Sequence, residues 1–211
     1  MPTVAARRIA GNTHRRAPEI IEAAARVFAE RGYHGASTHD IAEVLGIRQA
    51  SLYYYFPSKE VALEQVCTMG VEEFVERAEA IASGPETAAE KVHALILAHL
   101  APIRDRLDFV RVFLRDRHHL PDASRRRIGR SSRRVERAFE EVLAAGVQAG
   151  EFRRYLDCRL ATLALLGMCN AASAWYGKEP DATVERIAAE FARLAVEGLA
   201  ERGNGRRLRR R

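Results

Sequence analysis

Apolar positions over the first third of the chain recur at helical spacing. Ile20, Ile21, Ala24, Val27 and Phe28 fall at i, i+3, i+4 and i+7, predicting a helix that starts near Pro18 and ends at Gly32. Ser37 or Thr38 then caps a short helix built on Ile41, Ala42 and Leu45, with Asp40 in its first turn, and Gly46 stops it. A third segment runs from Arg48 to Phe56 and is closed by Pro57. Ser58 caps a longer helix from Lys59 towards Ile81, ahead of the break Ser83-Gly84-Pro85. Periodicity returns over 86–99, 102–118, 122–149, 157–177 and 181–200, so nine helices are expected, three short and then six longer. The division falls near residue 60. A flexible basic arm over 1–17 precedes a small domain over 18–60, a larger one over 61–200 and an arginine-rich tail over 201–211.

Composition agrees with an all-α fold. Of 211 residues, 47% are hydrophobic and 29% charged, enough apolar content for an ordered core. Alanine, leucine, glutamate and arginine dominate over β-branched and aromatic residues, which disfavours a sandwich or barrel. The net charge of +6 is uneven, with +2 over residues 1–60, −1 over 61–200 and +5 over 201–211. Most of it therefore sits in a tail (Arg206, Arg207, Arg209, Arg210, Arg211) expected to be disordered, and the overall basicity alone argues little for nucleic acid. Three cysteines (Cys67, Cys158, Cys169) without metal-ligand spacing suit a reduced, cytoplasmic protein. The run Ala161 to Trp175 is interrupted by Thr162, Asn170 and Ser173 and is shorter than the roughly 18–20 residues of a membrane span. It predicts a buried helix, no membrane partner, and no signal peptide precedes it.

Two helices joined through Gly46-Ile47, the second short, have the form of a helix-turn-helix. At about 100° per residue, Leu52 and Phe56 share the core face of the third helix. Tyr54 and Ala50 lie nearly opposite, with Ser51 beside them. With Arg48 and Gln49 at the amino end, they can face a groove floor. Tyr53 and Tyr55 project to the flanks, where a hydroxyl can reach a phosphate. Thr38 and Lys59, each in a first turn, are candidate phosphate clamps, and His39 lies between phosphate contact and solvent. Arg15 and Arg16 are candidates for a minor-groove arm.

These residues carry a family resemblance. The run Ser37-Thr38-His39-Asp40-Ile41-Ala42-Glu43, then Leu45-Gly46-Ile47, then Ser51-Leu52-Tyr53-Tyr54-Tyr55-Phe56-Pro57-Ser58-Lys59-Glu60, closely resembles the DNA-binding domain of TetR-family transcriptional repressors. Phe28-Ala29-Glu30-Arg31-Gly32-Tyr33 fits that family's first helix. Arg48 stands where the family usually has a Ser-like cap, and an arginine there suits bidentate contact with guanine. The resemblance implies a carboxy-terminal ligand pocket and homodimerisation through the last two helices, 157–177 and 181–200. Leu160, Leu163, Ala164, Gly167, Met168, Ala171, Ala172 and Trp175 agree with the latter, being apolar and rich in small residues. A dimer also serves DNA binding, because two recognition helices must reach half-sites about 34 Å apart.

The effector is less constrained. Residues 111–137 hold ten arginines against three acids. The pattern Ala149-Gly150-Glu151-Phe152-Arg153, Leu165-Leu166-Gly167-Met168-Cys169-Asn170 and Ala174-Trp175-Tyr176 is similar to TetR members that sense acyl-coenzyme A thioesters, although Ala174 stands where those relatives often carry Arg. Such a ligand needs an apolar slot and cationic groups for its phosphates. Phe109, Phe113, Leu114, Leu143, Val147, Met168, Asn170 and Trp175 are the candidate lining, with plain core packing the competing role of each. The arginines can equally form a solvated face with intrahelical pairs such as Arg133 with Glu136. A multidrug- or antibiotic-sensing regulator of an efflux gene is the alternative, and an aromatic-acid sensor a further one.

Enzymatic chemistry has no constellation to carry it. His93 and His99 are six apart rather than i, i+4, and neither G-x-S-x-G, a Gly-rich phosphate loop nor H-E-x-x-H occurs. No metal or cofactor is expected. Architectural DNA binding without an effector rests only on the arginine tail. The sequence thus predicts a homodimeric repressor that binds a (pseudo)palindromic double-stranded operator and is released by a small molecule, acyl-coenzyme A-like or another lipophilic anion.

Overall fold

A computed structural model describes residues 4–200, with side chains from Ala17 onward. The basic side chains of the amino-terminal arm, Arg15 and Arg16 included, and the tail 201–211 lie outside the described residues. The chain divides into two compact units, Met1–Glu72 with Arg106–Gly129, and Glu73–Asp105 with Arg130–Arg211. The first unit is therefore larger than the small domain expected over 18–60.

In that unit α1 (Val4–Gly35) is helical before Pro18, which sits inside it rather than in its first turn. Apolar periodicity begins only at Ile20, so nothing in the pattern marks the earlier turns. The regular helix still ends where expected, at Gly32, whose φ of 70° and ψ of 165° break it. Helix α2 (Thr38–Val44) is capped by Ser37, not Thr38. Ser37 Oγ accepts from the Asp40 amide at 3.2 Å, and the Asp40 carboxylate accepts from the Ser37 amide at 2.8 Å. Gly46, at φ 62°, closes α2 with the Ile47 amide on Ala42 O and its own amide on Glu43 O, both 3.0 Å, a Schellman motif.

Helix α3 (Gln49–Leu52) is shorter than the expected 48–56. Phe56 precedes proline, which disfavours helical backbone there. The Tyr55 and Phe56 amides both turn back to Leu52 O at 2.9 Å, ending the helix within one further turn. Helix α4 (Lys59–Thr68) follows its cap Ser58. The expected continuous helix to Ile81 is broken: Met69 is extended and Gly70 takes φ 72° before α5 (Val71–Ala82). Phe28, Ile41, Leu52 and Leu63 are wholly buried in this unit, together with Val112 from α8 (Leu107–Asp116). A 3-10 turn (Arg117–His119) and Leu120 complete it. Arg115 of α8 donates to Phe28 O at 2.5 Å and Ala29 O at 3.1 Å near the end of α1, and pairs with the buried Asp116 at 2.8 Å. Those bonds place 106–129 with the helix-turn-helix, something no local pattern signals.

The second unit contains most of α5, α6 (Ala88–Leu100), α7 (Pro102–Asp105), most of α9 (Asp122–Gln148), α10 (Cys158–Trp175) and α11 (Val184–Leu199). The segment expected as one helix over 102–118 is divided at Arg106, whose φ of −134° and ψ of 38° are non-helical. Leu95, Ile96, Phe139, Leu143, Phe152, Cys169 and Ala188 form its interior. Glu151 accepts from the Ala88 and Ala89 amides, both at 3.1 Å, satisfying the start of α6 from outside it. One antiparallel bridge joins Phe152 to Ala200. Among the described residues no helix is long and apolar enough to cross a membrane.

Candidate nucleic-acid interface and effector residues

The helix-turn-helix buries Leu52 and Phe56 and leaves Arg48, Ala50, Ser51, Tyr53 and Tyr54 exposed on the other side. Tyr54 is 85% exposed and Tyr53 50%, large fractions for aromatic side chains. Tyr55 packs half-buried against the core, so its ring is committed inward. Arg48 occupies the N-cap position of α3 but makes no side-chain cap bond, leaving its guanidinium free to reach outward. Gln49 ties the two helices together, its amide donating to Thr38 Oγ1 at 2.9 Å and lying 3.5 Å from the Tyr53 hydroxyl. That bridge fixes Gln49, Thr38 and Tyr53 as one ridge. His39 is exposed beside it.

Lys59 is engaged within the chain. Its ammonium donates to Tyr33 O at 2.9 Å and Ala36 O at 3.0 Å and lies 4.4 Å from the Tyr33 ring centroid. A cation at a helix amino end is unfavourable, whereas carbonyls at the end of α1 attract it. Tyr33 donates its hydroxyl to Glu60 at 2.9 Å, and burial with that acidic partner pushes the phenol up to about 12. His119 stacks on Tyr33 at 4.8 Å and meets His34 at 4.4 Å and His118 at 3.9 Å between ring centroids. Burial, then the neighbouring His118 and His34, hold the His119 imidazole below its ordinary pKa.

The candidate effector residues do not gather within one unit. Phe109 and Phe113 pack against the first unit's core, where Leu114 also lies half-buried. Leu143, Val147, Met168, Asn170 and Trp175 belong to the second; Leu143 is pure core, and Trp175 lies edge-on to Phe191 at 6.4 Å. Asn170 has a specific partner, the half-buried His99, at 2.8 Å. The ten arginines disperse as well. Arg125 pairs with Asp122, Arg127 with Glu64, and Arg134 with Glu79 through two 2.8 Å bonds. The expected Arg133–Glu136 pair does not form, because Glu136 and Glu140 both accept from Arg159 at 2.6 Å. Arg130, Arg133 and Arg137, at i, i+3 and i+7 on α9, remain exposed. On α10, Leu160, Leu163, Ala164, Gly167, Ala171 and Ala174 form an exposed apolar stripe, whereas Ala172 faces the core. Leu194 of α11 is exposed too.

Comparison with known proteins fits this arrangement. The bacterial regulatory protein tetR family matches residues 20–66, and the tetracyclin repressor-like C-terminal domain matches residues 85–199, more than half of the chain. The chain belongs to the TetR family. The HTH-type transcriptional repressor KstR2 of Rhodococcus jostii is 29% identical over 90% of this chain and 93% of its own length. The fatty acid metabolism regulator protein of Bacillus subtilis is 26% identical over 86% of this chain and 94% of that one. The crystal structure of AibR with isovaleryl coenzyme A and operator DNA shares the fold at a TM-score of 0.75, 24% identity, and coverage of 85% and 97%.

For a TetR-family regulator, the sequence left three couplings unread. Arg115 and Asp116 fasten α8 to α1, Lys59 fastens α4 to α1, and His99 pairs with Asn170 inside the second unit. Each joins residues far apart in the chain, so neither spacing nor periodicity could reveal it.

Proposed function

We propose that this chain is a homodimeric, cytoplasmic repressor that holds a (pseudo)palindromic operator and releases it when an acyl-coenzyme A thioester, or a lipophilic anion of like chemistry, binds. The observation that carries the DNA reading is the outward row of Arg48, Ala50, Ser51, Tyr53 and Tyr54 on a well-buried helix-turn-helix whose first helix, α2, is capped. Arg48 reads a base, Tyr53 and Tyr54 contact the groove and its phosphates, and Thr38 with Gln49 forms the supporting ridge. The apolar stripe on α10 with Leu194 of α11 supplies the dimer face, where small side chains permit close helix approach. Similarity to a fatty acid metabolism regulator and to a regulator bound to isovaleryl coenzyme A supports the effector class. The exposed row Arg130, Arg133 and Arg137 offers cationic groups to an anion.

Release requires only that the effector bind the non-operator state better than the operator state. The test uses an operator selected from random duplexes, with binding followed by fluorescence anisotropy. Octanoyl-coenzyme A should release the duplex, and octanoate or coenzyme A alone should not. At about 100 times its dissociation constant it should also stabilise the protein by roughly 2.7 kcal/mol. Neither release nor stabilisation by any thioester would refute the effector class, and release by cationic lipophilic drugs instead would favour the efflux-regulator alternative.

A further inference from the structure

Four helices of the second unit converge on one imidazole. His99 comes from α6, its partner Asn170 from α10, and the rings of Phe74 (α5) and Phe139 (α9) meet it edge-on at 5.3 and 6.4 Å. His99 is half-buried with its Nδ1 shut off from solvent, and desolvation holds the imidazole below its ordinary pKa despite the opposing Asn170 bond, so it is neutral. A neutral imidazole has one N–H. Facing the Asn170 carbonyl oxygen at 2.8 Å, Nε2 carries that proton and donates it. Nδ1 is then a buried acceptor with no donor. Turning the amide over would only exchange an unmet acceptor for an unmet donor. The Thr162 hydroxyl, two turns earlier on α10, is the other buried side-chain polar atom without a partner among the described residues. Native interiors rarely keep such atoms unmet, and a site that leaves one waiting discriminates strongly for a ligand that meets it.

Resting on the effector reading above, we infer that His99 and Asn170 form the polar end of the effector site and recognise a hydroxyl on an otherwise apolar chain. A hydroxyl can donate to Nδ1 or accept from it, so it satisfies the ring in either tautomer, whereas a saturated chain satisfies neither. Phe74 and Phe139 flank the imidazole as the apolar walls beside that hydroxyl. The hydroxyl stabilises whichever state of the bundle lets it reach Nδ1, by completing a bond that the ring otherwise lacks.

The test compares 3-hydroxyoctanoyl-coenzyme A with octanoyl-coenzyme A by calorimetric titration of the full chain. The wild type should bind the hydroxylated thioester at least about tenfold more tightly. His99→Phe, which keeps a flat ring and removes both ring nitrogens, should bind both equally. In wild-type protein labelled with 15N-histidine, the His99 Nδ1 resonance should move on adding the hydroxylated thioester and stay put with the saturated one. This readout holds even if His99→Phe does not fold. Equal affinity in the wild type, a preference that survives His99→Phe, or an unmoved Nδ1 resonance at saturation (the mark of a resident water) would overturn the inference while leaving the effector class intact. Binding of neither thioester would overturn both.

Discussion

Lys59→Ala separates two roles that the same lysine could play. The structure engages its ammonium with two carbonyls at 2.9 and 3.0 Å and with the Tyr33 ring at 4.4 Å. A hydrogen bond from a charged group contributes about 1.5–3 kcal/mol, and an exposed cation–π contact about 0.5–1. Lys59 is half-buried, so the lower ends apply and water can reach the freed carbonyls. A loss of about 2–3 kcal/mol is expected, which for a chain of this length lowers the melting temperature by roughly 5–10 °C. The second readout is the salt dependence of operator binding, measured well below that temperature. A lysine whose charge is held internally releases little counterion, so the slope of log K against log salt should change by much less than the roughly 1.8 expected from two protomers each losing one phosphate contact. Lys59→Met, keeping the aliphatic stem, should lose nearly as much stability as Lys59→Ala. The reasoning fails if the melting temperature stays within about 1 °C of wild type while the slope drops by the full amount, because Lys59 would then be a phosphate clamp first.

Four further outcomes follow from named contacts. Arg48→Ala should relax base preference at one position by about 1–3 kcal/mol with little change in non-specific binding; selection of an identical operator by wild type and variant would show that Arg48 reads no base. Leu163→Glu, placed in the exposed stripe of α10, should give a monomer by light scattering and weaken operator binding by at least about a hundredfold; an intact dimer would move the interface elsewhere. Gly146→Ala should cost about 1–3 kcal/mol, because a Cβ there would press into the Phe152 ring and Ala88; unchanged stability would mean that Phe152 repacks freely. For pH, His99 and His119 both have folded-state pKa values below their unfolded ones, so the unfolded chain binds more protons and stability falls as pH drops below about 6.5. The depressed carboxylates Asp40 and Glu60 lose their contribution only below about 4.5, which leaves the window from 6.5 to 5 to the histidines. His99 alone can contribute up to about 1.4 kcal/mol per pH unit there, so a flat profile between pH 7.5 and 5 would contradict its burial as a neutral ring.

What the sequence made legible was local. Caps, glycine stops and apolar spacing located α2, α6, α9, α10 and α11 to within a few residues, because each end is decided by its own neighbours. The split between α4 and α5 escaped notice for a different reason. Gly70 has good apolar neighbours on both sides, and a glycine inside a periodic pattern reads as a weak helical residue until its φ of 72° is seen. The extra helix ahead of Pro18 lacked any apolar stripe, and α3 ended early because Pro57 constrains the residue before it.

The candidate site divides along the same line. Exposure of Tyr54, Ala50 and Ser51 opposite Leu52 and Phe56 could be computed from 100° per residue, since a helix face needs no partner to be defined. Which charges remain free could not. Ten arginines close together in sequence suggested one cationic surface, yet their partners (Glu64, Glu79, Asp116, Asp122 and the carbonyls of Phe28 and Ala29) come mostly from other helices. Charge density in sequence therefore overstates the charge available to a ligand, and on α9 Arg126, Arg130, Arg133 and Arg137 are the arginines that share one face and stay exposed. The converse holds for His99. It sits alone in an apolar run and offers no motif, but with one buried ring nitrogen unmet, it is the more specific chemical feature of the second unit. Wherever a binding site must choose among lipophilic ligands, selectivity comes from such sparse polar atoms, because apolar walls distinguish neighbouring chains by only about 1–3 kcal/mol per methylene.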